Sequence, residues 1–281
     1  MPERSEIARM AFILNDQFVG LTCHYVLIFP KYRRTYGNEL YSSMPLQYQQ
    51  KEGFRQIDIN LTLSKVTSRG KKIIFELNEI PLRFVSGCGL TGHWMLEHSP
   101  RTALVIRFGD KFAFYEETRF GGNFSICMFD SVEYKHIFKD VGPDIMTDEV
   151  TWEVYYNIMK NHRTSHLTVY DFFMEQKYMS GNGNWITAEL LYKCHINPKR
   201  LKCNLSDNDI WNLYNWNKQI IWDGYNKGGL TIKDYVDPLG KKGEYIPECY
   251  GRNTDPYGNQ IIKEENKNGR KMHYCPIMQP Y

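Results

Sequence analysis

Between residues 21 and 130 the chain repeats one pattern, short runs of β-branched and aromatic residues broken by turn signals. The runs are Val26 to Phe29, Ile57 to Leu63, Lys72 to Leu77, Leu82 to Val85, Thr102 to Phe108 and Lys111 to Tyr115, with Ser68-Arg69-Gly70 and Gly109-Asp110 among the breaks. Many short strands at this spacing predict a β-sandwich or barrel. A helix should precede them, because Ile7, Met10, Phe12 and Leu14 recur at helical spacing and Gly20 follows as a stop. Around Val141-Gly142-Pro143-Asp144 the pattern turns helical. Thr147-Asp148-Glu149 reads as an N-cap ahead of Val150, Val154 and Ile158, with further helices over Leu167 to Glu175 and Trp185 to Tyr192. Ser206-Asp207-Asn208-Asp209 resembles a capping box before a helix carrying Ile210, Leu213, Ile220 and Ile221. The chain ends in a hairpin pattern: strand Gln260 to Lys263, turn Asn266-Lys267-Asn268-Gly269, return strand Arg270 to Tyr274. A hairpin so short must dock on something larger. The fold class is therefore α+β, divided as a sandwich domain over residues 1–140, a helical domain over 141–244 and a hairpin module over 245–281.

Composition narrows the class. At 281 residues, with 42% hydrophobic and 24% charged residues, the chain is an ordinary globular protein with room for two domains. Its seven cysteines are scattered and contain no C-x-x-C pair, so neither a disulfide framework nor a zinc finger is indicated. No apolar run approaches the ~18 residues of a membrane span, and Glu3 and Glu6 stand where a signal peptide needs basic and then apolar residues. A soluble, intracellular protein is expected. The net charge of +3 is a weak argument for nucleic acid.

Two stretches carry chemistry. Met1-Pro2-Glu3-Arg4-Ser5-Glu6 begins with a small residue after the initiator, so trimming of Met1 should expose the secondary amine of Pro2 with Glu3 beside it. An α-amino group titrates near ~8, well below lysine, and is a usable nucleophile at neutral pH. Alone, a Pro at position 2 is common and usually means nothing. Gly181-Asn182-Gly183-Asn184 opens a helix with unhindered backbone N–H groups, which suits an anion but also suits an ordinary loop.

Taken in order, the motifs resemble those of the formamidopyrimidine-DNA glycosylase and endonuclease VIII family along the whole chain. Met1-Pro2-Glu3 with Glu6 is similar to its N-terminal signature, and Ser68-Arg69-Gly70-Lys71 to the endonuclease VIII form of its lysine motif. Gly89-Leu90-Thr91-Gly92 and Arg119-Phe120-Gly121 resemble two of its loops. Glu175-Gln176-Lys177, Gly181 to Asn184 and Ala188-Glu189 resemble its helix–two-turn–helix motif, and Gly228-Gly229 to Arg252 the approach to its finger. There are departures. Ser5 replaces a second Pro, Thr118 replaces an Arg that helps fill the gap in the duplex, and Gly87 replaces a phosphate-binding His. Where zinc-binding relatives place four ligands, this chain has Asp255, Asn259, Cys275 and Met278, and one ligand cannot hold tetrahedral zinc. No zinc and no other cofactor is expected.

The resemblance implies a bifunctional DNA glycosylase and AP lyase acting on damaged DNA, with Pro2 as nucleophile, Glu3 as proton donor and shuttle, and Lys71 on the phosphate near the lesion. Lys72 competes with Lys71, since strand alternation sends neighbours in opposite directions. Glu6 is expected to support the helix and the lesion pocket. Leu90 and Phe120 would fill the void, and Lys177, Asn184, Arg270 and Arg119 would contact DNA. The partner implied is DNA with a flipped oxidised base or an abasic site, met by a monomer in the nucleus or another DNA-containing compartment, and no membrane is involved. Oxidised pyrimidines are the first substrate choice, with formamidopyrimidines or 8-oxoguanine second. The rival readings are a damage-binding protein that has lost turnover and a metal-dependent nuclease.

Overall fold

A computed structural model describes residues 2–29, 48–51, 54–119, 121–231 and 235–281. The architecture is α+β, as expected, but packing divides the chain into two units rather than three. One comprises Met1–Lys139 with Ile232–Gly243, the other Asp140–Thr231 with Glu244–Tyr281. The strap after residue 231 leaves the helices because its side chains find partners in the β unit. Tyr235 is 3% exposed in that core, its hydroxyl donates to the Glu6 carbonyl, and Leu96 N–H donates to the Pro238 carbonyl. The hairpin module is part of the second unit, not a body of its own.

In the first unit, helix α1 (Arg4–Phe18) starts three residues earlier than apolar spacing indicates. Glu3 and Glu6 form a reciprocal capping box that satisfies amide groups the first turn leaves open. Ile7, Met10, Leu14 and Phe18 are buried, whereas Phe12, expected on that face, is 53% exposed beneath the Arg9 guanidinium. Among the described residues nine strands follow: β1 (Thr22–Ile28), β2 (Tyr48–Lys51), β3 (Phe54–Arg69), β4 (Lys72–Leu77), β5 (Leu82–Gly87), β6 (His93–Met95), β7 (Thr102–Phe108), β8 (Lys111–Glu116) and β9 (Asn123–Met128). They pair in the order β6-β8-β7-β1-β3-β4-β5-β9, with β2 added to β3. β3 serves both layers of the sandwich: Arg55 to Thr62 pair with β1, and Leu63 to Arg69 with β4. The layers meet through aromatic rings, Phe75 stacking on Phe108 at 6.3 Å and Trp94 lying 6.1 Å from Phe124. Phe75 is fully buried, and truncating it to Ala would cost about 3–5 kcal/mol. Helix α2 (Val132–Phe138), capped by Ser131, and strands β2, β6 and β9 were not expected from the sequence.

The second unit holds α3 (Trp152–Lys160), α4 (Val169–Met174), α5 (Asn184–Lys193), α6 (Asp207–Asn226) and the hairpin β10 (Ile262–Glu265) and β11 (Lys271–Tyr274). α3 is capped by Thr151 and not by Thr147, whose hydroxyl instead donates to the Asp144 carbonyl in the preceding turn. The expected capping box of α6 is present, Ser206 and Asp209 bonding each other's backbone N–H. Among the described residues no helix is long and apolar enough to cross a membrane.

Candidate active site and nucleic-acid interface

Glu3 is fixed twice at the start of α1. Its N–H donates to Glu6 Oε2 at 2.9 Å, and its own carboxylate accepts from the backbone of Glu6. Pro2, Glu3, Arg4, Ser5 and Glu6 are all buried. Arg4 then reaches across the fold, donating from Nη1 to Ser68 Oγ at 2.9 Å and from Nη2 to the Ser68 carbonyl at 3.4 Å. Ser68 is the penultimate residue of β3. Gly70 and Lys71 form the two-residue loop into β4, closed by the Arg69–Lys72 pair. The first turn of α1 is thereby tied to the hairpin that presents Lys71. Lys71 is half-buried at the tip of that hairpin, while Lys72 lines a cavity of about 560 Å3 with Ser125, Cys127, Glu133 and His136. The two lysines therefore serve different places.

Leu90 is 53% exposed in the loop after β5, and Arg119 is exposed in the loop between β8 and β9. Phe120 and Met1 lie outside the described residues. At Gly87 the space beyond the α-carbon is taken by Asn123, whose Oδ1 would lie 2.6 Å from an added Cβ. Asn123 carries no signal in the sequence, because its neighbour is set by strand pairing, β5 to β9.

In the second unit Gln176 organises the loop before α5. Its amide donates to the Asn182 carbonyl at 2.7 Å and accepts from Gly181 N–H at 3.0 Å. Lys177, the next residue, is exposed with its ammonium 5.0 Å from the Tyr178 ring centroid. Asn184 is engaged within the protein. Its Nδ2 donates to the Lys271 carbonyl at 2.9 Å and its Oδ1 accepts from the Tyr170 hydroxyl at 3.0 Å. That bond seats Arg270, one residue along, beside the start of α5. Arg270 N–H donates to Asn266 Oδ1, and Asn266 Nδ2 donates to Asp171 on α4, so the hairpin turn is anchored and the Arg270 side chain stays exposed. Asn184 and the Arg270 turn are thus joined, while Lys177 lies in the loop that Gln176 organises before α5.

The finger is held by carboxylates. Asp255 accepts from Tyr257 N–H, Asn259 N–H, Asn259 Nδ2 and the Tyr192 hydroxyl at 2.8–3.1 Å. Burial works against its charge, but those hydrogen bonds outweigh it and hold the carboxyl below its ordinary value. Glu189, fully buried on α5, accepts the N–H groups of Glu248, Cys249 and Tyr250. Burial pushes its carboxyl up despite those three donors. Cys249 and Cys275 sit in an apolar cluster with Tyr192 and Ile261, and burial raises the Cys249 thiol far above its usual range. Gln279 bridges Cys275 N–H and the Ile196 carbonyl. Among the described residues no group of three or more His, Cys, Asp or Glu side chains is arranged to hold a metal ion. With Asp255 spent on four donors and both thiols in apolar surroundings, this donor set does not fit zinc.

Residues 141–236 match the formamidopyrimidine-DNA glycosylase H2TH domain. The formamidopyrimidine-DNA glycosylase of Listeria monocytogenes serotype 4b is 25% identical over 291 residues, covering 99% of this chain and all of the relative. That of Pelotomaculum thermopropionicum is 30% identical over 127 residues, 43% of this chain and 46% of the relative. The chain is thus similar along its length to formamidopyrimidine-DNA glycosylases and carries their H2TH domain. Among solved structures, the Fpg (MutM) protein of Thermus thermophilus superposes with a TM-score of 0.83 at 20% identity, covering 99% of this chain and 98% of that one. Lactococcus lactis Fpg in complex with abasic-site DNA gives 0.78 at 21% identity, covering 99% of this chain and 100% of that one. These likenesses establish the fold of the family for this chain.

Proposed function

We propose that the chain is a bifunctional DNA glycosylase and AP lyase of base excision repair, acting as a monomer and using the amine of Pro2. The observation that carries this reading is the pair of hydrogen bonds from Arg4 to Ser68, which joins the Pro2-Glu3 turn to the Lys71 hairpin. A damaged base leaves the stack at a cost of a few kcal/mol, least for a lesion that pairs badly. With Met1 removed, Pro2 N attacks C1′ and the C1′–base bond breaks, the amine proton leaving with the base. Glu3 donates a proton to the sugar ring oxygen, the C1′–O4′ bond breaks to leave a C1′=N iminium, and Glu3 shuttles protons afterwards. The iminium acidifies the adjacent sugar hydrogens, so the 3′ and then the 5′ phosphate are eliminated, with Lys71 on the phosphate beside the lesion. Lys177, Asn184 and Arg270 contact the DNA backbone without reading sequence, and Arg119 also binds the DNA. Leu90 and Phe120 fill the vacated space. The finger works without zinc, and metal analysis of the purified protein checks this: stoichiometric zinc would sink it.

Oxidised pyrimidines are the preferred substrates on this reading, supported by Ser68-Arg69-Gly70-Lys71, in which Ser68 is the residue Arg4 grips. Formamidopyrimidines are the second reading, favoured by the names of the curated relatives. Cleavage rates on a panel of lesion-containing oligonucleotides separate the two. Borohydride trapping tests the chemistry: a covalent protein–DNA adduct is expected on abasic DNA, and its absence would overturn the enzyme reading.

A further inference from the structure

Two loops of the first unit lie against each other, residues 88–92 after β5, carrying Leu90, and residues 117–119 and 121–122 after β8, carrying Thr118 and Arg119. The approach is backbone on backbone. A Cβ on Gly89, at φ +56°, would collide with the Gly121 carbonyl oxygen, and one on Gly122 with the Tyr115 hydroxyl. Thr118 N–H donates to Thr91 Oγ1 at 3.4 Å, and the Tyr115 hydroxyl donates to the Gly87 carbonyl at 3.4 Å. Under both loops sits a carboxylate. Glu117 is 1% exposed and accepts the N–H of Gly122 at 2.5 Å, closing its own loop. Its other oxygen faces Gly122 too, and the loop it closes is the one that meets the first at Gly89 and Thr91. A charge so buried is expensive unless it organises what surrounds it. What surrounds it is the base of the two loops whose tips, Leu90 and Arg119, are exposed.

We propose that Glu117 is a positioning residue that sets the spacing of Leu90 and Arg119, and through them the preference for a lesion in duplex DNA over the same lesion in a single strand. The inference rests on the proposed damaged-DNA reading and adds the determinant of substrate form to it. When a nucleotide leaves a duplex, it leaves a gap and an unpaired base on the opposite strand, which a wedge must occupy. A single strand has neither, so misplacing the wedge costs nothing there. The dependence on Glu117 should therefore appear in duplex only.

The test uses the full-length protein and its Glu117→Ala and Glu117→Gln variants on one oligonucleotide, single-stranded and annealed. Two quantities are read: binding when it carries a tetrahydrofuran abasic analogue, and borohydride trapping when it carries a true abasic site. Glu117→Ala is expected to lose about tenfold or more on duplex relative to single strand. Glu117→Gln, whose side-chain oxygen still accepts the Gly122 N–H, restores most of the ratio. An equal loss on both forms, or an unchanged duplex ratio in Glu117→Ala, overturns the proposal. A parent protein that binds the analogue but traps no abasic DNA refutes the enzyme reading alone, because the binding ratio still decides the role of Glu117.

Discussion

At the start of α1 and in the finger, buried carboxylates hold irregular backbone, and the two networks end differently. Glu6 takes the N–H of Glu3, and Arg4 leaves the helix to grip Ser68. In the finger, Glu189 takes three successive N–H groups and Asp255 takes four donors, one of them the Tyr192 hydroxyl. The first network ties the Pro2-Glu3 turn to the hairpin of Lys71. The second closes on itself, its donors and acceptors matched inside the protein. Similar hydrogen bonds thus join two distant segments in one place and close a local loop in the other. Changes in the first should move rate with little effect on stability. In the second they should move stability and, through it, the hold on DNA.

The sharpest break in that comparison is at Pro2. Keeping Met1 or acetylating Pro2 should abolish the borohydride adduct while leaving the melting temperature unchanged. Glu3→Gln should lower base release by about 10²–10⁴-fold. Its carboxamide oxygen can still accept from the Glu6 backbone, so circular dichroism should report an intact helix. Concurrent unfolding would show that Glu3 is structural instead. The counterpart in the finger is Asp255→Ala, which deprives the Tyr257 and Asn259 amides and the Tyr192 hydroxyl of their acceptor. It should cost about 2–4 kcal/mol in urea unfolding, and a chelator should cost nothing. Chelator-sensitive unfolding of the parent would mean that the carboxylate network is not what holds the finger.

What the sequence revealed of these networks depends on how far apart in the chain the partners lie. Ser206 and Asp209 are three residues apart, and such a cap can be written down from order alone. Glu3 and Glu6 are as close, but Glu is not the usual N-cap, and apolar spacing therefore places the start of α1 late. The turn over Asn266 to Gly269 is equally local. Arg4 and Ser68 are 64 residues apart, and only the family resemblance hinted that their segments belong together. Asp255 reads as a lost zinc ligand; three of its donors lie two to four residues along in its own turn, and the fourth, the Tyr192 hydroxyl, becomes visible only when α5 packs beside it. The same holds for the strap through Tyr235, which follows the helical segment in sequence but packs where Glu6 offers a carbonyl. The start of α3 is misplaced from sequence because Thr147 and Thr151 are both competent caps. The buried Val150 comes just before the helix that Thr151 begins, so packing rather than propensity set the boundary.

A smaller effect is expected where the second unit meets DNA. Lys177→Ala and Arg270→Ala should each lower the slope of log affinity against log salt by about 0.9, with no change in specificity between lesions. Neither residue is buried, so melting temperature should stay within about 1 °C of the parent's. An unchanged salt slope would remove that residue from the interface.

The smallest effect concerns pH and bears on the finger alone. His273 Nδ1 accepts the N–H of Gly251 at 3.1 Å, which requires an unprotonated nitrogen, and its ring packs 4.8 Å from Tyr250. Burial first, then the positive charges of Lys263 and Lys271, push its pKa down from 6.5 to about 4. A base with a depressed native pKa binds fewer protons folded than unfolded between those two values. Its stabilising contribution is therefore complete above about pH 6.5 and drains away as the pH falls toward about 4. Because the ring is only partly buried, the loss should be about 1 kcal/mol by pH 5.5. Glu189, Glu248, Asp255 and Glu264 are among the acids nearby; the depressed carboxyls of Asp255 and Glu264 keep their charge through most of that window, whereas the raised carboxyl of Glu189 works in the opposite direction. Replacing His273 by Gln removes the titrating group and should flatten the pH dependence of unfolding between pH 5 and 7 without touching the adduct-forming chemistry of Pro2. A parent protein whose stability rises as the pH falls through that range would show that the Gly251 bond does not need the neutral ring.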